Sequence, residues 1–112
     1  MVGTIKVVNI KNFHENEVDG EVINIMRPSI LGNPFRMNSE DEREIVVRKF
    51  YHYLREQFKK KEEVYQELMN IVEKVNAGKD VYLVCCCSPK LCHGDVIANA
   101  VMGIIEHEQR NK

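Results

Sequence analysis

The chain has 112 residues, of which 44% are apolar and 29% charged, with a formal net charge of −1. These figures suit one domain with one buried core, residues 1–112, and exclude a membrane span, because no apolar run approaches the roughly 20 residues that a bilayer requires. Nor is there the basic excess by which nucleic-acid binding usually shows itself, so nucleic acid is not expected as a partner.

In chain order, Ile5–Ile10 is short and rich in β-branched residues and reads as a first strand. Lys6 and Asn9 interrupt it, so it does not read as the apolar region of a secretory signal. Asp19-Gly20 is a turn signal, and Glu21–Met26 reads as a second strand, pairing with the first as a hairpin through Lys11–Gly20. Arg27–Asn38 holds two prolines, a glycine and two asparagines and reads as a structured loop.

Ser39 followed by Glu42 has the form of a capping box, and predicts a helix over residues 40–59 with Val46, Phe50, Tyr53 and Leu54 inward. Of the neighbouring Tyr51, His52 and Tyr53, one or two face the core, and His52 reads as a surface residue. Residues 62–76 carry Val64, Leu68, Ile71, Val72 and Val75 at helical spacing, and Gly78 reads as the glycine that ends this helix. Val81–Cys85 is nearly all apolar, as befits a central strand. Residues 95–108 form a third helix with Ile97, Ala100, Val101 and Ile104 inward. The expected fold is α/β: a small sheet of about three to four strands flanked by three helices that cover at least one of its faces.

Two segments carry chemistry. The first is the turn from the central strand to the last helix, which holds all four cysteines, at 85, 86, 87 and 92, followed by His93-Gly94-Asp95. Cysteines packed into one turn cannot brace a fold by closing long loops, so they read as reduced thiols, which places the chain in the cytoplasm. In open α/β sheets ligands bind beyond the carboxyl ends of the strands, near helix N-termini. Gly94 would allow close backbone approach, and Asp95 would serve as the N-cap.

Three readings of this turn compete. Cys85, Cys87, Cys92 and His93 have the donor atoms for zinc, but adjacent Cys92 and His93 do not easily reach one ion. Cys92 near a helix N-terminus would have a depressed pKa and serve as a nucleophile, with His93 or Asp95 as partner. Or small thiols and backbone N–H groups simply line a pocket. Beside all three stands the plainer possibility that Cys85–Cys87 are buried apolar residues, which is the reading adopted for Cys86, on the opposite sheet face from its neighbours.

The second segment is Arg27-Pro28-Ser29-Ile30-Leu31-Gly32-Asn33-Pro34-Phe35-Arg36. Pro28 and Pro34 fix φ, and Gly32 permits positive φ. A loop stiffened in this way is suited to holding something. Arg27 and Arg36 can clamp an anion, Asn33 can read a polar edge, and Phe35 can stack on a ring. The plainer reading is a tight turn with surface arginines and a core Phe35. Arg43 and Arg48 read as solvated, although Arg43 in the first helical turn is able to reach the loop.

Together these segments resemble the domain-of-unknown-function family 4326, found largely in phage and bacterial genomes. The resemblance rests on Val7-Val8-Asn9, on Arg27 and Leu31–Phe35, on Arg43, and on Cys85, Cys87, Pro89, Cys92, His93, Gly94 and Asp95. Cys86 stands where that family often has an aromatic residue, and Met26 stands where it has glycine. The resemblance implies an α/β fold and a phage-type accessory protein, but no activity.

If both segments share one pocket, its candidate ligand-binding residues are Asn9, Arg27, Gly32, Asn33, Pro34, Phe35, Arg43, Cys85, Cys87, Cys92, His93, Gly94 and Asp95. The leading expectation is a homodimeric protein that binds a nucleotide-derived molecule, such as a cyclic nucleotide or an ADP-ribose derivative. It would serve a phage by sequestering an immune signal, with no cofactor and no turnover. The alternatives are a nucleotide or ADP-ribose hydrolase or transferase using Cys92, His93 or Asp95, and a zinc-stabilised interaction module.

Overall fold

The computed structural model describes residues 2–87 and 90–110. Its elements are β1 (Ile5–Asn9), β2 (Glu21–Asn24), α1 (Arg43–Lys60), α2 (Glu63–Asn76), β3 (Val81–Cys85) and α3 (His93–Arg110), with single 3-10 turns at Glu15–Glu17 and Glu40–Glu42. Among the described residues the domain is a three-stranded sheet in the order β1-β3-β2 with three helices.

Every strand pair is parallel: Val7 lies opposite Leu83, and Ile23 opposite Leu83 on the other side. The expected β1–β2 hairpin is therefore not formed. The connection through residues 10–20 crosses over, and β3 inserts between the two strands. The physical reason is burial. Val81, Leu83, Val84 and Cys85 are all buried, so β3 belongs at the centre, where both its edges are paired. β1 and β2 carry Lys6 and Glu21 and suit the edges.

Both edge strands end in asparagine. Asn9 Oδ1 accepts from the Lys11 N–H at 2.9 Å, and Asn24 Oδ1 accepts from the Met26 N–H at 2.8 Å. Each side chain offers the backbone a local partner in place of the ladder, and the chain turns away from the sheet.

One sheet face presents Ile5, Val7, Ile23, Ile25, Val81, Leu83 and Cys85 to a core shared with all three helices. The helices pack on one another, and α2 and α3 on the sheet. On the opposite face Tyr82 meets Phe13 of the β1–β2 connection, with ring centroids 5.4 Å apart.

α2 buries Val64, Leu68, Ile71, Val72 and Val75, as its spacing requires. Gly78, at φ 92°, closes the helix with its N–H on the Val75 carbonyl. α1 buries Val46, Phe50 and Leu54. Tyr53 is half-buried, while Tyr51 and His52 are exposed. The Ser39 capping box does not form. Ser39 makes no side-chain cap bond, Glu42 accepts from the Asn38 N–H at 2.7 Å instead, and residues 40–42 are a 3-10 turn leading into the helix.

α3 starts at His93, two residues earlier than its sequence suggests. It buries Ile97, Val101 and Ile105, while Ala100 and Ile104 are half-buried. No helix among the described residues is long and apolar enough to cross a membrane.

Candidate functional site

The loop after β2 and the turn after β3 both leave from the carboxyl edge of the sheet, and they meet. Between them and the first turns of α1 lies a cavity of about 380 Å³. Arg27, Asn33, Phe35, Arg43, Cys85, Cys87, Cys92 and His93 all line it. Asn9, Gly32, Pro34, Gly94 and Asp95 do not, and neither does Arg36.

The loop is held by its own short-range bonds. Ser29 Oγ accepts from the Leu31 N–H at 3.2 Å, and the Gly32 N–H donates to the Ser29 carbonyl at 2.8 Å. Leu31 is thereby driven into the core, where it is fully buried. A side chain at Gly32 would press on the Ser29 carbonyl and on the Arg27 backbone, 2.9 and 3.1 Å away. The φ of Gly32 is not positive, contrary to expectation, and the missing side chain instead lets the loop close on itself.

Arg27 Nη1 donates to the Asn33 carbonyl at 3.2 Å and ties the two ends of the loop together. Asn33 Oδ1 accepts from the Phe35 N–H at 2.9 Å, which leaves the amide NH₂ as the donor facing outward from that turn. Phe35 is half-buried, edge-on to Tyr53. It is neither fully in the core nor free, so one wall of the cavity is aromatic.

Arg43 is not solvated. Its side chain is 15% exposed, and its three nitrogens are all engaged. Nε and Nη2 grip the Glu40 carboxylate, both at 2.8 Å, and Nη1 donates to the Leu91 carbonyl at 2.9 Å. It thus ties the start of α1 to the cysteine turn. The same carboxylate receives Lys90 at 3.2 Å. The bonds from Arg43 and then Lys90 hold the Glu40 carboxyl down to about 2.

His93, the first residue of α3, is the other tie. Its Nε2 lies 2.7 Å from the Ile25 carbonyl oxygen, which can only accept, so Nε2 carries the proton. The ring stands edge-on to Phe50 at 5.1 Å. Burial lowers the His93 pKa, and the positive charge of Arg27 adds to that effect, so the imidazole is neutral with Nδ1 as an acceptor.

Three expectations for the cysteine turn are corrected. Cys92 is buried and its Sγ lies 3.6 Å from Cys85 Sγ. Burial, and then the neighbouring Cys85, push its thiol up to about 12, so desolvation outweighs the helix N-terminus that would depress it. Asp95 is not the N-cap. It is the third residue of α3, and its carboxylate accepts from the Cys92 N–H at 3.0 Å, closing the helix N-terminus from inside. Cys86 is exposed and lines the cavity, because β3 ends at Cys85 and the strand alternation ends with it.

Gly94 is buried against the sheet. A Cβ there would lie 2.9 Å from both Ile25 Cδ1 and Val7 Cγ1, so this glycine serves helix–sheet packing. Among the described residues no three His, Cys, Asp or Glu side chains converge so as to hold a metal ion, and His93 commits Nε2 to Ile25. Pro89, with Ser88, lies outside the described residues.

The family model for a domain of unknown function (DUF4326) matches residues 8–103. The chain belongs to this family. The match takes in both the loop and the cysteine turn of this DUF4326 domain, and so both sides of the cavity. No curated protein and no solved structure matches the chain significantly.

The cavity of this DUF4326 domain has further walls that the sequence reading did not name: Met26, Met37, Val46, Val47 and Leu91. A sequence signal existed for most of them. Met26 and Met37 bracket the stiff loop, and Val46 and Val47 stand one helical turn beyond Arg43.

Proposed function

We propose that this chain binds a small, anionic, nucleotide-derived ligand, without turning it over, in the cavity at the carboxyl edge of its sheet. One observation carries the reading. Two segments separated in sequence by α1 and α2, each tied down by its own bonds, wall a single concave space in which Arg27, Asn33, Phe35 and His93 converge. Such sites pair a largely apolar lining with a few placed polar groups. Arg27 supplies a cation for phosphate, Asn33 an amide donor and His93 a neutral acceptor for a ribose or base edge, and Phe35 a ring to pack on one.

The hydrolase or transferase alternative has less support. Its nucleophile would be Cys92, a buried thiol held well above neutral pH. The reading extends to a homodimer in the reducing cytoplasm, in keeping with four free cysteines, and to sequestration of an immune signal by a phage.

The experiment is native mass spectrometry of protein purified from cells, followed by denaturation and small-molecule analysis of the supernatant. A released nucleotide-like mass is the expected result. The idea fails if neither this nor a broad nucleotide panel yields a ligand.

A further inference from the structure

The hydrogen-bond assignments around the cavity restrict what its ligand carries. The lining itself carries three positive features, Arg27, Arg43 and the N-terminus of α3, while Lys49, 6.0 Å from the Phe35 ring centroid, and Lys90, on Glu40, stand outside it. Two of those three features are already spent. Arg43 has every nitrogen engaged, two on Glu40 and one on the Leu91 carbonyl. At the α3 N-terminus the Asp95 carboxylate occupies the Cys92 N–H, so an incoming anion would meet a like charge there.

Arg27 differs. Its guanidinium makes one hydrogen bond, to a neutral carbonyl, and no ion pair among the described residues. His93 brings no charge, since burial keeps it neutral. Much of the remaining wall is soft and apolar. All four cysteines, with Met26 and Met37, face the space. Such a wall gives a second anionic group nothing to bind and penalises its desolvation. At about 380 Å³ the space also sits near the lower end of the roughly 300–1,000 Å³ range of small-molecule sites.

We infer that the site takes a ligand with one singly charged phosphate, the monoanion of a phosphodiester as in a cyclic mononucleotide, and that Arg27 is the residue that reads it. A pyrophosphate, as in an ADP-ribose derivative, brings a second charge that no uncommitted cation of the lining meets. The inference rests on the proposed nucleotide-binding function and narrows it. Arg43 is a positioning residue that holds the turn, and Glu40 is what keeps it from serving as a second anion donor.

The test is calorimetric titration of the full chain with four probes of one base: the nucleoside, the 3′,5′-cyclic monophosphate, the linear monophosphate and the diphosphate. The cyclic monophosphate is expected to bind tightest. Arg27→Gln should weaken it about tenfold or more, and by clearly more than it weakens the nucleoside, which carries no phosphate for Arg27 to meet. Arg27 is exposed, so this variant should fold, and an unchanged Tm checks that. Glu40→Gln frees Arg43 and should shift preference toward the diphosphate. A diphosphate that binds the unaltered chain best, or a cyclic monophosphate indifferent to Arg27→Gln, overturns the inference while the nucleotide reading stands. Binding of none of the four, nor of any nucleotide in the broader panel, overturns both.

Discussion

His93 Nε2 donates to the carbonyl oxygen of Ile25 at 2.7 Å across 68 residues of sequence, pinning the first turn of α3 to the end of β2. That bond and the edge contact with Phe50 make the histidine a structural tie as well as a cavity wall. His93→Ala should lower stability by about 1–3 kcal/mol, because it strips a partly buried carbonyl of its partner. Chemical denaturation of both proteins measures the difference.

The same histidine gives stability a pH dependence. Its pKa is lowered from 6.5 in the folded state, chiefly by burial, so the unfolded chain binds this proton more tightly than the folded one. The contribution is therefore fully present above pH 6.5 and fades as pH falls below it. Glu40 contributes with the same sign but lower on the scale, from 4.5 down to about 2. The Tm should fall between about pH 7 and about pH 5 in the native chain, and fall less in His93→Gln, whose amide donates but does not titrate. Equal slopes would mean that the imidazole is not the titrating group.

Two glycines of α3 should respond in opposite directions to alanine. Gly103 has nothing within 4 Å of its would-be Cβ, so Gly103→Ala should stabilise by about 0.5–1 kcal/mol through helix propensity alone. Gly94→Ala forces a methyl against Ile25 and Val7, and should cost about 1–3 kcal/mol by overpacking. Thermal melts of the two variants check the pair.

Asp95→Ala should cost about 1 kcal/mol, since the Cys92 N–H loses its acceptor at the start of α3. Asp95→Asn retains an acceptor oxygen and should recover most of it. A loss as large in Asn as in Ala would instead assign the effect to charge.

Thiol reactivity should follow position in the turn. Cys86 is exposed, whereas Cys85 and Cys92 are 1% and 2% accessible. A brief iodoacetamide pulse on folded protein, mapped by peptide mass spectrometry, should label Cys86 first. Cys92, whose thiol is held up to about 12 by burial, should react only after unfolding.

Local pattern determined much of this protein. The apolar run at Val81–Cys85 named the central strand to the residue, and the spacing of Val64, Leu68, Ile71, Val72 and Val75 named the buried face of α2, because periodicity reports burial directly. Proline, glycine and asparagine marked the loop, and the cysteines marked the turn. What the tertiary structure decided was every non-local partner. Strand alternation does not say which edge a strand pairs with, so the crossover that seats β3 between β1 and β2 was not legible. Nor does residue type say how a side chain is spent. Arg43 gives its fork to Glu40 and Leu91, Asp95 caps its own helix, Gly94 makes room for Ile25 and Val7, and Arg27, alone among the arginines of the cavity lining, has no carboxylate among the described residues. A hydrogen bond or a desolvated thiol depends on what lies within a few ångströms, and folding supplies that neighbour from anywhere in the chain.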